Sequence, residues 1–288
     1  MIRNTLMAAA ATIAFATPAA AQDFAITNAT LATGDGSNPI EGATIVVRNG
    51  RVDAAGVGVT VPAGVPTLDG TGSWVTPGLF ATVTDLGLWD VGAVSESNDT
   101  RAGDSPFSAA LDVAPAINPQ SQHVKVSRAG GITRAAVATM PSSSIFGGQG
   151  AIIDTGDDPD PIVRARAFQV VALGEGGARR AGGSRVSAHA LFRNALREAR
   201  QYGADSRISG TASRPPEQRT GDDMPLDPRL VDNRTERGDD VLLSRFDAAA
   251  LVPVVTGAQK LYVMVERAAD IRAVLALRDE FPNLDLVL

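Results

Sequence analysis

The chain has 288 residues, enough for one large domain or two smaller ones, and with 44% hydrophobic but only 5% aromatic residues its core is mainly aliphatic. Its net charge of −6 argues against nucleic acid as a partner, because phosphates are bound by basic surfaces. The absence of cysteine excludes disulfides, a thiol nucleophile and thiolate metal ligands.

Residues 1–21 have the pattern of an export signal. Arg3 supplies the positive charge, residues 6–15 form a short apolar run, and Ala19-Ala20-Ala21 is a small-residue cleavage site. We predict cleavage after Ala21 and a periplasmic or secreted mature protein. The apolar run is too short to span a bilayer. No later segment is long and apolar enough, so no membrane span is expected after the signal is removed.

Residues 22–77 predict a small β-domain. Short strand-like runs alternate with turn residues, and the strongest hairpin signal is Asn49-Gly50 between ATIVVR and RVDAAG. The pattern changes at Pro77-Gly78, which is followed by the apolar strand LFATVTDLGL.

Strand and helix patterns alternate over residues 78–288, as is typical of a parallel α/β fold. The candidate barrel strands are 79–84, 132–138, 261–265 and 284–288. A closed (β/α)8 barrel has eight strands. We therefore predict a partial (β/α)8 TIM-type barrel. Because the last strand would leave an apolar edge open, we expect the chain to be part of a longer product.

Three further segments are predicted within this region. An inserted hairpin lies near residues 147–175, and a mobile surface loop without periodicity covers residues 204–240. Between them, residues 184–203 predict a helix that ends at Gly203 and has one apolar face formed by Phe192, Leu196 and Ala199.

Residues 26–88 contain the segments ITNATLATGDG, IEGATIVVRNGRVDAAG and VPAGVPTLDGTGSWVTPGLF. This pattern resembles the amidohydrolase superfamily, close to its imidazolonepropionase-related members. The resemblance continues in AINPQSQHVKVSRAGGITRAAVA, GGQGA and RFDAAALVPVVTGAQKLYVMVERAADIRAVLAL. It implies a (β/α)8 barrel with a divalent, zinc-like metal at its carboxyl-terminal mouth. It also implies a small-molecule substrate and hydrolysis of non-peptide carbon–nitrogen bonds by metal-bound hydroxide.

The resemblance further implies that a His-x-His pair at the end of the first barrel strand supplies two metal ligands on one face. Val83 and Asp85 occupy those positions here. Asp85 is a candidate metal ligand, because its oxygen is a hard donor, whereas Val83 cannot bind a metal. The alternative for Asp85 is a strand-end residue that caps backbone groups or pairs with an arginine. The other implied ligands are expected on strands beyond Leu288.

Gly148 and Gln149 in the GGQG run are candidate ligand-binding residues, because backbone N–H groups of such a turn can face a ligand near the barrel mouth. The alternative is a simple turn that leads into the hairpin. His123 and His189 have no partner at ligand spacing, so we expect ordinary histidines there. No catalytic residue is assigned.

Two functions are open at this point. One is an exported, amidohydrolase-like hydrolase, which the likeness over most of the mature chain favours. The other is a catalytically silent periplasmic ligand-binding barrel that has lost its metal site, which Val83 and Asp85 favour.

Overall fold

The structure is a computed structural model that describes residues 23–92, 94–157, 159–208 and 242–288. The chain divides into two compact units, Met1–Pro77 and Gly78–Leu288. The predicted export signal lies outside the described residues. So does the predicted loop from residue 209 to residue 240.

The first unit is a five-stranded sheet. Its strands are β1 (Phe24–Leu31), β2 (Ile40–Arg48), β3 (Arg51–Gly56), β4 (Thr67–Asp69) and β5 (Trp74–Val75). The order is β3-β2-β1-β4, and β5 pairs with β1 beside β4. The pairs β1–β2 and β2–β3 are antiparallel, whereas β4 and β5 run parallel to β1.

The turn between β2 and β3 confirms the predicted hairpin. Arg48 pairs with Arg51, and Asn49 and Gly50 between them have φ angles of 50° and 72°. Two successive residues with positive φ match the right-handed twist of the flanking strands, and asparagine followed by glycine adopts this conformation at least cost.

The second unit is built on a six-stranded sheet. Its strands are β6 (Leu79–Thr84), β7 (Ile132–Val137), β8 (Phe146–Asp154), β9 (Ile162–Ala172), β10 (Lys260–Met264) and β11 (Leu286–Val287), paired in that order. Only β8 runs antiparallel to its neighbours. The pairs β6–β7, β9–β10 and β10–β11 are parallel, so five strands place their carboxyl ends at one edge.

The four predicted barrel strands correspond to β6, β7, β10 and β11, although β11 is shorter than predicted. The prediction missed β9 as a fifth parallel strand. β9 pairs with β8 on one side, as in a hairpin, and with β10 on the other, so the β8–β9 pair lies inside the sheet. The turn residues near 157–159 indicate the hairpin of β8 and β9. No local signal in the sequence indicates the pairing of β9 with β10.

Among the described residues of this unit there are also five helices and three short 3₁₀ segments. The helices are α1 (Gln122–Ala129), α2 (Glu175–Arg180), α3 (Arg185–Ile208), α4 (Arg245–Val255) and α5 (Ala268–Leu275); the 3₁₀ segments are Ser95–Ser97, Ala114–Ala116 and Ala276–Asp279. Among the described residues, none of the helices has the length and apolar character needed to cross a bilayer.

The helix predicted to end at Gly203 continues as α3 to Ile208. Gly203 is not a terminator: a Cβ at this position would lie 3.1 Å from Val252 Cγ1 on α4, so glycine permits the close approach of the two helices. The predicted apolar face is confirmed, because Phe192, Leu196 and Ala199 are fully buried. It packs against β9, β10 and α4 in the largest core cluster.

The two faces of the sheet have different cores. The helix side is filled by α3, α4 and the side chains of alternate strand residues such as Val171 and Leu261. On the opposite face, Phe168 lies edge-on to Tyr262, with ring centroids 4.2 Å apart. Gly150 on β8 makes room for that ring, since a Cβ there would come within 2.2 Å of it.

Candidate functional site

The carboxyl ends of the parallel strands define the candidate site. Ligands of α/β folds bind at this edge, because the loops that follow parallel strands converge there. Asp85 follows β6, the serines 142–144 follow β7, Gly174 follows β9 and Glu266 follows β10.

Asp85 is presented by a fixed strand end. The Thr84 hydroxyl donates a hydrogen bond of 3.0 Å to the Ala136 carbonyl on β7 and accepts one of 3.4 Å from the Leu86 N–H. Asp85 is exposed and Val83 is 46% exposed. The Asp85 carboxylate makes no hydrogen bond or ion pair with the described residues. Within that part of the chain, the Asp85 side chain neither caps backbone groups nor pairs with an arginine.

Glu266 is a second carboxylate at this edge, and the sequence analysis did not single it out. Its Oε2 accepts the Glu175 N–H at 2.9 Å. Gly174 leaves room for the carboxylate in this position, because a Cβ there would lie 1.8 Å from Oε2. The signal in the sequence is an acidic residue directly after the predicted barrel strand 261–265. The side chain is 55% exposed, so one face of the carboxylate stays open to solvent.

An ion-pair network anchors the helices next to Glu266. Asp270 has a side chain only 4% exposed, and it accepts hydrogen bonds from Arg267 at 2.7 Å and from Arg185 at 3.2 Å. The Arg267 hydrogen bond, followed by the charges of both arginines, lowers the pKa of Asp270 to about 2. Arg185 also lies 3.9 Å from Glu266. The network therefore fixes α3 and α5 relative to the end of β10.

Gly148 and Gln149 occupy a tightly packed part of β8. The N–H of Gln149 donates to the Leu111 carbonyl at 2.7 Å, and its carbonyl accepts the Val113 N–H at 3.1 Å. Gly148 has φ +89°, and a Cβ there would lie 2.7 Å from Leu111. The backbone of Gln149 is thus occupied by the segment 111–113. Its own side chain is 8% exposed.

The Gln149 side chain borders a cavity of about 420 Å³ between the sheet and α4. Gln259 lies beside it, with Nε2 donating to the Arg166 carbonyl at 2.8 Å. Gln259 Oε1 and both polar side-chain atoms of Gln169 are buried without a hydrogen-bond partner in the described chain. The arrangement is a partly satisfied group of amides on the helix side of the sheet.

Asp247 holds the long segment before β7 in place, and sequence analysis did not identify it. Its Oδ1 accepts the N–H groups of Ser108 and Ala110 at 2.9 and 2.8 Å, and its Oδ2 accepts the Ser244 hydroxyl at 2.7 Å. The residue is only 4% exposed. Its partners lie 139 and 137 residues away, a distance that no local sequence signal spans.

The two histidines lie on different elements. His123, on α1, stacks on Trp89 with ring centroids 3.8 Å apart. His189 is a half-buried residue of α3, and burial lowers its pKa despite the opposing charge of Asp270. Among the described residues, no group of three or more histidine, aspartate and glutamate side chains is arranged to hold a metal ion.

No family model and no curated protein matches the chain. Among solved structures, an amidohydrolase from Thermotoga maritima MSB8 is similar, with a TM-score of 0.69 and 20% identity over 91% of this chain and 63% of that chain. A putative prolidase from Bifidobacterium longum (34% identity) and molinate hydrolase (28%) each overlap 24% of this chain and 18% and 15% of their own, with TM-scores of 0.22.

The first likeness establishes the fold: the chain has an amidohydrolase-like mixed α/β architecture with a partial TIM-like barrel. The chain spans less than two thirds of the length of that T. maritima structure. The other two overlaps are too small to bear on the fold.

Proposed function

We propose that the protein is an exported, amidohydrolase-like hydrolase that acts on non-peptide carbon–nitrogen bonds of a small molecule. The observation that carries this proposal is the amidohydrolase-like fold over 91% of the chain. The sequence around Pro77-Gly78, which leads into β6 and ends at the exposed Asp85, supports a relation to the imidazolonepropionase group.

A divalent metal does not fit the described residues alone. Asp85 offers one carboxylate with no other partner among them, but Val83 has no donor atom and no third ligand is arranged nearby. Ligands from outside the described residues would have to complete a site in which Asp85 takes part. We therefore derive no reaction step through a metal. Within this chain, the Thr84 hydroxyl holds the backbone at the strand end where Asp85 is exposed to solvent.

Metal content and hydrolysis, measured on the product of the complete reading frame, test the proposal. Purified protein would be analysed for zinc and other divalent metals by elemental analysis and assayed against a panel of cyclic and acyclic amides. We expect turnover to fall after chelation and to return with added metal. The Asp85→Asn variant should lose at least about tenfold in turnover, whereas Asp53→Asn, at an exposed position of β3, should behave as the parent.

Other results would contradict the proposal in distinct ways. Turnover that survives chelation would show that the proposed hydrolysis does not depend on a metal. Ligand binding without hydrolysis and without stoichiometric metal would favour a catalytically silent binding barrel instead. Export is tested separately, because amino-terminal sequencing of the mature protein should begin at Gln22.

A further inference from the structure

We propose that Arg180 binds the carboxylate of a small apolar acid in a cavity of about 170 Å³ between the turn at residues 143–144 and helix α3. The cavity lies on the helix side of the sheet, away from the face lined by Phe168 and Tyr262. Ser143 and Ser144 belong to the carboxyl edge of the sheet described above, but the proposal rests on Arg180 and its own surroundings and does not depend on the hydrolase assignment.

Arg180 is a cation held in place by neutral groups. Its Nε donates to the Ser142 carbonyl at 2.8 Å, and its Nη1 donates to the Gly176 carbonyl at 2.6 Å. Nη2 has no hydrogen-bond partner among the described residues. These two bonds orient the guanidinium group and leave donors free, which is the arrangement of a preorganised anion site.

Arg180 has positively charged neighbours and forms no ion pair within the part of the chain that the structure describes. Burial and the charges of Arg101 and Arg179 lower the pKa of Arg180. A half-buried guanidinium group without an ion-pair partner has lost part of its hydration and has no counter-charge in return. An anion that binds to Arg180 therefore gains the electrostatic attraction and displaces no existing partner.

The acids around the cavity are already occupied. Glu175 pairs with Arg179 at 3.2 Å. Glu198 accepts the N–H groups of Leu242 and Leu243, both at 3.0 Å. Asp247 is bound by backbone N–H groups and the Ser244 hydroxyl, as described above. Within the described chain, none of these three acids forms an ion pair with Arg180.

The shape of the cavity indicates the class of ligand. Arg180, Ser143 and Ser144 form its polar end, and Leu191, Leu242 and Leu243 line the other. A carboxyl group with a short hydrocarbon tail can contact both ends of this cavity, whereas a compact inorganic anion bound to Arg180 would leave the leucines without contact.

Calorimetric titration of the full chain with butyrate tests the proposal, with butanamide as the neutral counterpart of the same shape. We expect butyrate to bind at least about tenfold more tightly than butanamide. Arg180→Gln should weaken butyrate binding by a similar factor. Arg179→Gln is the matched control on the same helix, because that arginine is exposed and paired with Glu175, and it should change binding less than about twofold.

A second pair of variants keeps the test valid if Arg180→Gln does not fold. Leu242 is 48% exposed and lines the same cavity. Leu242→Asp supplies an internal carboxylate for Arg180, whereas Leu242→Asn does not. We expect the aspartate variant to bind butyrate at least about tenfold more weakly than the asparagine variant.

Four outcomes would overturn the proposal. These are no binding of butyrate, equal binding of butyrate and butanamide, equal losses in the Arg179 and Arg180 variants, and equal binding by the Asp and Asn variants at residue 242. Inorganic phosphate that competes as strongly as butyrate would overturn the assigned ligand class.

Discussion

Arg185 Nε donates a hydrogen bond of 3.2 Å to Asp270 Oδ2, which joins the first turn of α3 to the first turn of α5. Arg267 donates to the same carboxylate from the residue that precedes α5. The Asp270 side chain is only 4% exposed and binds two arginines. The contact between α3 and α5 therefore depends on the negative charge of this carboxylate.

We predict that Asp270→Asn lowers the free energy of unfolding by about 1–3 kcal/mol, because it leaves two arginines beside a neutral amide. Urea unfolding at neutral pH measures this. Asp279→Asn, at an exposed position of the neighbouring 3₁₀ segment, is the control and should change stability by less than about 0.5 kcal/mol. Equal effects in the two variants would contradict the role assigned to the network.

The same residue gives a pH dependence with a defined sign. The pKa of Asp270 is lowered from 3.8 to about 2, so its charged form stabilises the folded state. That contribution is fully present above pH 4 and is lost as the pH falls from about 4 to about 2. Acid unfolding of the parent should show this loss, and the Asp270→Asn variant should lack it.

His189 should titrate below the ordinary histidine value of 6.5, because burial favours its neutral form. Protonation then favours the unfolded state as the pH falls below 6.5, so His189 reduces stability in that window. A proton NMR titration of the imidazole Cε1–H resonances measures it. The resonance that is missing in His189→Gln identifies the group, and a midpoint at or above 6.5 would contradict the prediction.

Gly150→Ala should destabilise the second unit by about 1–3 kcal/mol, because the added methyl group would collide with the Phe168 ring. Gly92→Ala is a matched control, since its Cβ would lie 4.0 Å from the nearest atom and its φ is not positive. Chemical denaturation compares the two. The packing account fails if Gly150→Ala is as stable as the control variant.

Asp247→Ala should lower the free energy of unfolding by about 2–3 kcal/mol, because two partly buried backbone N–H groups lose their acceptor. We also expect faster proteolysis within residues 99–113, since this carboxylate fastens Ser108 and Ala110. Asp104→Ala changes an exposed acid of the same segment and should leave the cleavage rate near that of the parent.

The sequence predicted those features that local patterns encode. Asn49-Gly50 predicted a hairpin through its turn conformation, and the spacing of Phe192, Leu196 and Ala199 predicted the buried face of α3. The predicted end of α3 at Gly203 was wrong. Glycine often ends a helix, but Gly203 lies inside α3, where its lack of a side chain allows close contact with Val252.

Within the candidate site, the sequence identified Asp85 but not the residues whose role depends on distant partners. Arg180 stands out only because neutral carbonyls surround it, and Asp247 only because it reaches across more than 130 residues. Neither set of contacts produces a recognisable spacing or composition in the sequence.

The reversed strand β8 has a consequence for the order of folding. β7, β8 and β9 follow one another closely in the chain and pair as consecutive antiparallel neighbours, so these contacts have low sequence separation. The pairing of β9 with β10 must close a far longer loop, which carries a larger entropic cost. The β7–β8–β9 meander is therefore the part of the sheet that can nucleate first, and β10 and β11 add to an edge that already exists.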